Sequence, residues 1–210
     1  MHLSETKSEV DAHIKKSGKR PVEWMNDNHL LSDRLVAAHC VWLNDKEMNT
    51  LSRHNITAVY NPISNARLGV GNAKVKFLLK NGVNIAIGTD SAASNGNLDL
   101  FQDMKFAALM NRFDAGTVLD MATVNAAKAL RANTGSIVKG KKADVILVDK
   151  RQIFTSPVDK ENVINNLVYG VEGGNVSLSI IDGMIRYDRS SQSNRKFDRI
   201  FEKVKDLKLF

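Results

Sequence analysis

The sequence predicts an α/β fold: strand–helix units of the kind that build a (β/α) barrel, followed by a smaller β-rich region. Three observations carry this. Short apolar runs rich in β-branched residues alternate with amphipathic helical patterns over the first ninety residues. The connections between them are short, which argues for a parallel sheet crossed by helices. The run over residues 83–87 closes on Gly88-Thr89-Asp90, which leads into the small-residue loop Ser91-Ala92-Ala93-Ser94-Asn95. A carboxylate delivered from the C-terminal end of a buried strand is how a barrel presents a metal-binding or catalytic group.

The first strand is the stub Met1-His2-Leu3. A helix follows over 5–16, with Val10 and Ile14 four residues apart, and Pro21 opens a short helix holding Val22, Trp24 and Met25. The second strand spans 35–41. Asn44 caps a helix over 45–54 that places Met48 and Leu51 on one face. The third strand, 56–60, runs into Asn61-Pro62-Ile63-Ser64-Asn65, a turn by composition. Gly69, Gly71 and Asn72 read as a flexible mouth, with no phosphate-binding glycine pattern. A helix over 73–81 ends at Gly82, a residue suited to the left-handed position after a helix. The fourth strand is 83–87, and all four are expected to be buried on both faces. Helices over 99–111 and 117–132 complete the helical layer. The pattern then changes: a strand at 145–148, a helix near 159–167, and strands at 176–181 and 185–187 around the turn Asp182-Gly183. A charged helix is expected over 194–209. The chain thus divides at about residue 134 into a barrel-like part, 1–134, and a β-rich part, 135–210.

Composition narrows the function classes. The 210 residues carry a net charge of +7, with 43% hydrophobic and 6% aromatic residues, so the core rests on aliphatic side chains. The basic groups are Lys15-Lys16 with Lys19-Arg20, the lysines of 139–142, and a tail from Arg195 that is interleaved with acids. That scatter suits solvated helices better than a phosphate track, so no nucleic-acid partner is expected. Cys40 is the single cysteine, which excludes an internal disulfide and points to a reducing compartment. No apolar stretch approaches the roughly 18–20 residues that span a bilayer, and Glu5, Lys7 and Glu9 interrupt any signal-peptide pattern. The expectation is a soluble, cytoplasmic protein without a membrane partner.

Polar residues close the successive strands: His2, His39, Asn61 and Asp90, spaced by about one βα unit. Four units are half the number in a closed barrel. His2 and Glu5 form a His-x-x-Glu whose side chains share one side of a first helical turn, a metal ligand beside a proton-handling carboxylate; the same spacing also suits an ordinary N-terminus. His39 is either a satisfied core histidine or a functional one. Asp90 ends a wholly apolar strand and must be paired, hydrogen-bonded or metal-bound. Cys40 reads as a small packing residue, and His13, His29 and His54 as structural or solvated.

Together, His2-Leu3-Ser4-Glu5-Thr6, Ala38-His39-Cys40-Val41-Trp42-Leu43, Asn61-Pro62-Ile63-Ser64-Asn65 and Gly88-Thr89-Asp90-Ser91-Ala92-Ala93-Ser94-Asn95 resemble, in order and spacing, the amidohydrolase superfamily. The resemblance is to the branch of S-adenosylhomocysteine/5-methylthioadenosine deaminases and triazine chlorohydrolase-like enzymes. Asn125-Ala126-Ala127-Lys128-Ala129-Leu130, Gly135-Ser136-Ile137 and Lys139-Gly140-Lys141-Lys142-Ala143-Asp144 are similar to that family's junction between barrel and sandwich. The resemblance implies the C-terminal half of a (β/α)8 TIM-type barrel, strands five to eight, followed by part of a small composite β-sandwich.

It also implies roles. His2 and Asp90 match metal ligands, and Asp90 in addition takes a proton from the metal's water. Glu5 matches the carboxylate that carries a proton to the ring nitrogen and the leaving group. His39 matches the histidine that polarises the substrate or orients the water, and Ser94 sits where deaminases of this branch contact the nucleoside. The implied cofactor is one divalent metal, zinc, with iron or manganese as alternatives; it would lower the pKa of its water toward about 7. The implied substrate is 5-methylthioadenosine or S-adenosylhomocysteine, with guanine, cytosine-like rings or chloro- and amino-triazines as alternatives. Ser91 stands where Gly is usual and Tyr60 where His is common, departures expected to alter the pocket rather than the mechanism. The family's His-x-His pair has no counterpart: no two histidines here are separated by one residue. With His2 and Asp90 alone there are two protein ligands where a catalytic zinc has at least three. The expectation is a C-terminal fragment, or one half of a split enzyme, that binds metal poorly by itself and works as a homo-oligomer or with a complementing N-terminal half. A non-catalytic remnant, pairing with another chain through its open strand edges, is the alternative.

Overall fold

Four parallel strands lie side by side in sequence order: β1 (His2–Leu3), β2 (Val36–His39), β3 (Thr57–Tyr60) and β4 (Asn84–Ile87). The structure, a computed structural model, describes residues 1–152 and 158–191. Helices α1 (Lys7–Ser17) and α2 (Pro21–Asp27) follow β1, and α3 (Asp45–Arg53) follows β2. After β3 come α4 (Pro62–Arg67) and α5 (Val75–Lys80); after β4 come α6 (Ala92–Asn95), α7 (Leu100–Asn111), α8 (Ala115–Ala122) and α9 (Val124–Ala129). The expected tail helix over 194–209 lies outside the described residues.

The register explains the layering. Ala37, Ala58 and Ile85 align across the sheet and are buried against the helical core of Val22, Met48, Leu51, Leu78, Met104 and Val118. On the opposite face Thr57 and Ala86 are buried, but Val36, Ala38, Val59 and Asn84 are only half-buried. The expected two-faced burial therefore holds on one side: no second layer covers the other among the described residues. Side chains alternate along a strand, so each strand contributes equally to both faces.

Local chemistry sets the boundaries. Thr6 accepts from the Glu9 N–H while Glu9 accepts back, a reciprocal cap that starts α1; Asn44 and Glu47 do the same for α3. Gly82, at φ +79°, follows α5 in the left-handed region where a side chain is disfavoured. Two expectations change. Asn61-Pro62-Ile63-Ser64-Asn65 is not a turn but the start of α4, with Pro62 at its first position. The helix expected over 117–132 is broken at Thr123 (φ −122°, ψ −88°) into α8 and α9. The break lets Asn125 donate to the Ile85 carbonyl and accept from Asn84, which fastens α9 to β4.

The β-rich part forms a separate antiparallel sheet: β5 (Val145–Val148), β6 (Val176–Ile181) and β7 (Met184–Asp188), with α10 (Val163–Tyr169) between β5 and β6. An apolar cleft of about 500 Å³ separates it from α7 and α8, lined by Leu98, Phe101, Met104, Leu119, Ile146 and Val176 among others. Asp99 bridges the two parts, capping α7 and accepting from the Gly173 N–H at 2.8 Å.

Candidate active site

The strand ends place the polar residues together. His2 pairs with Ala38 in the register, and its ring meets the His39 ring edge-on, centroids 4.8 Å apart. Glu5, at the β1–α1 junction, brings a carboxylate oxygen 3.8 Å from His39 Nε2. The ligand atoms of His2, Glu5 and His39 all lie within 4.8 Å of one another. Asp90 is not part of that trio; it is linked to His39 through α4, where the adjacent Ser64 and Asn65 bond Asp90 and His39 respectively.

The backbone is strained at this end of the sheet. Ser4 (φ 50°), His39 (φ 71°), Cys40 (φ 52°) and Asp90 (φ 61°) all occupy the left-handed region that disfavours side chains. The turn out of each strand is therefore held by surrounding bonds. Gly88 makes one such turn possible: a Cβ there would lie 2.7 Å from Asn61 Oδ1 and 2.9 Å from Val59 Cγ1.

His39 is nearly fully buried. Its Nδ1 lies 2.9 Å from Asn65 Oδ1, an acceptor to which Nδ1 donates, and its Nε2 has no hydrogen-bond partner. Asp90 Oδ2 accepts from the Ser64 hydroxyl and the Ser94 hydroxyl, each at 2.7 Å. Burial works to raise the Asp90 pKa, but the bonds from Ser64, Ser94 and the Ser91 backbone, with the nearby His39, hold it below the ordinary carboxylate range. Cys40 is buried and its thiol is pushed up to about 12, so it is a packing residue rather than a nucleophile.

Ser64 and Asn65 belong to a segment that carries the family resemblance, but the sequence assigns neither of them a role at the site. They sit on α4, a helix where the composition suggests a turn, and they bond Asp90 and His39 directly. Ser94 lies on α6, directly after β4, and its hydroxyl proton is committed to Asp90. Tyr60, expected to alter the pocket, instead points into the helical layer, where its hydroxyl donates to Asn72 and accepts from Asn111. The Gly69–Asn72 stretch is tied down by the first of these bonds and by Trp42 Nε1 donating to the Val70 carbonyl. Among the described residues, the buried side-chain polar atoms without a hydrogen-bond partner are Ser4 Oγ, His39 Nε2, Asn65 Nδ2 and Asn95 Oδ1. Ser4, His39 and Asn65 surround this site, and buried polar atoms ordinarily find partners. Two imidazoles and a carboxylate converging on one point, with an unpartnered ring nitrogen among them, are a donor set that fits a divalent cation such as zinc.

Comparison with known proteins agrees with this architecture. The chain is 46% identical over 193 residues to the 5-methylthioadenosine/S-adenosylhomocysteine deaminase of Thermococcus sibiricus, covering 88% of this chain and 45% of that protein. A crystal structure of an adenosine deaminase from Xanthomonas campestris with bound zinc superposes with a TM-score of 0.89 at 30% identity, covering 98% of this chain and 49% of that one. Atrazine chlorohydrolase from Arthrobacter aurescens, complexed with zinc, gives a TM-score of 0.83 at 23% identity, covering 97% of this chain and 47% of that one, a likeness of fold alone. The parallel sheet is thus the half of a TIM-type barrel that the sequence implied. The chain spans about half the length of the curated relatives it matches. The amidohydrolase family model matches residues 1–186, and the chain belongs to that family.

Proposed function

We propose that this chain supplies one half of the active site of a metal-dependent aminohydrolase that deaminates an adenosine-type nucleoside, 5-methylthioadenosine or S-adenosylhomocysteine. The observation that carries the reading is the convergence of His2, Glu5 and His39 at one end of the parallel sheet, with Asp90 and His39 bonded by the adjacent residues Ser64 and Asn65. The names of the relatives support the substrate class.

His2 and Asp90, the residues that match the family's metal ligands, would hold the cation, with the Glu5 carboxylate and the His39 ring within 4.8 Å of the His2 donor beside it; imidazole and carboxylate donors favour zinc. When bound, such a cation lowers the pKa of a water and polarises the reacting carbon. Glu5 stands at the edge of the site, about one-fifth exposed, and can carry a proton to the ring nitrogen and then to departing ammonia. His39 is fixed by Asn65 through Nδ1, which leaves Nε2 beside His2 and Glu5 to orient a water or the substrate. Asp90, held ionised by two serine hydroxyls, takes the water's proton. Ser94 retains a lone pair toward the nucleoside.

Two protein ligands are few for a catalytic zinc. The uncovered sheet face and the share of the relatives' length favour a complementing N-terminal half as the source of the rest. The test is ammonia release from 5-methylthioadenosine, S-adenosylhomocysteine, adenosine and guanine, with this chain alone and joined to the first half of a relative's barrel. Turnover of the thionucleosides by the joined protein alone, lost in Glu5→Gln, is expected. Full turnover by the joined Glu5→Gln protein, or preference for guanine, contradicts the reading.

A further inference from the structure

A buried carboxylate outside the site joins the elements that hold it. Asp103 lies on α7 and is 0% exposed. Its Oδ1 accepts from the backbone N–H of Ile63 at 3.3 Å, and its Oδ2 accepts from Asn95 Nδ2 at 2.9 Å. Ile63 is the second residue of α4, so Asp103 satisfies one of that helix's unpaired N-terminal donors. Ser64 and Asn65, the next two residues, are those that bond Asp90 and His39. Asn95 passes the connection on: its amide also donates to the Thr89 carbonyl at 2.7 Å, at the residue before Asp90. Its other neighbour, Ser94, is the second hydroxyl donor to Asp90.

We propose that Asp103 is a positioning residue, clasping α4 to the loop after β4 so that Asp90 and His39 keep their places. Packing alone would not select it. A buried carboxylate is costly, and an apolar side chain would fill the same space with less penalty. Its two bonds reach different elements, each one residue from a side chain that grips the site. The left-handed backbone at His39 and Asp90 is costly, and the clasp adds restraint to the local bonds from Cys40 N–H to the Ala38 carbonyl and from the Thr89 hydroxyl to the Asp90 carbonyl.

The clasp itself is independent of the metal; its effect on metal affinity rests on the function proposed above. The experiment follows amide hydrogen exchange and zinc affinity in this chain for the parent, Asp103→Asn, Asn95→Ala and the double variant. Asparagine at 103 turns one acceptor into a donor facing another donor. Exchange is expected to speed about tenfold at residues 63–66 and 89–96 while β2 and β3 stay protected. Zinc affinity is expected to fall by about tenfold. The double variant should add nothing to the larger single effect, because both changes break one relay. Uniform acceleration over the whole chain, no acceleration in the two segments, or summed effects would overturn the proposal. If the parent binds no zinc, the exchange pattern still decides, and only the metal reading falls. If Asp103→Asn does not fold, Asn95→Ala carries the same test from the other end.

Discussion

At the scale of single residues, the left-handed conformations at the strand ends cost about 1–2 kcal/mol each, and four of them fall at one end of one sheet. That expenditure is offset by bonds that sequence alone does not display. His39 and Asp90 were legible because a polar residue closing an apolar strand needs a reason. The roles of Ser64, Asn65 and Asp103 were not, since the partners His39, Asp90 and Ile63 lie 26 to 40 positions away. Two predictions belong here. Cys40 is buried with its thiol pushed up to about 12, so a thiol reagent at pH 8 should leave it unmodified until the chain unfolds; rapid native labelling would contradict this. Asp103 is pushed up to about 6, from an ordinary 3.8, by burial that outweighs the Asn95 and Ile63 bonds. The folded state then holds this proton more tightly than the unfolded one. Its contribution to stability is full below about pH 4 and is lost as pH rises through 6. Unfolding free energy measured for the parent minus Asp103→Asn should fall by roughly 2–3 kcal/mol between pH 4 and pH 7. A difference independent of pH would contradict the assignment.

At the scale of elements, the strands and most helices follow from local pattern, because periodicity and caps are local properties. Thr6 with Glu9 and Asn44 with Glu47 mark their helix starts in the sequence itself. α4 was missed because Pro62 serves equally at a turn and at a helix's first position, and only packing decides. The break at Thr123 depends on Asn84 and Asn125 meeting across 41 positions, which no window reveals. Glu47 shows the same limit. It is 3% exposed, caps α3, and also binds Arg20 at 2.7 Å and the Val22 N–H at the start of α2. Glu47→Ala should therefore destabilise the chain by about 3–5 kcal/mol, since it leaves Arg20 and two backbone donors without their acceptor. Chemical denaturation measures this; a loss below about 1 kcal/mol would show that the contact is only surface pairing.

At the scale of the whole molecule, the parallel sheet carries helices on one face and leaves the other half-buried, while β5–β7 expose Leu147, Ile181, Met184 and Ile185. The barrel class was legible from the alternation of strands and helices, and the half-barrel from four units where eight close a ring. What covers the open faces was not, because complementary surfaces are encoded in the partner as much as in this chain. The central claim is that the imidazole opening the first strand and the acid closing the fourth share one cation. Zinc titration of this chain beside His2→Ala and Asp90→Asn tests it most directly. The account predicts one weakly held equivalent, with affinity dropping about tenfold or more in each variant. Zinc binding that neither substitution changes would contradict it.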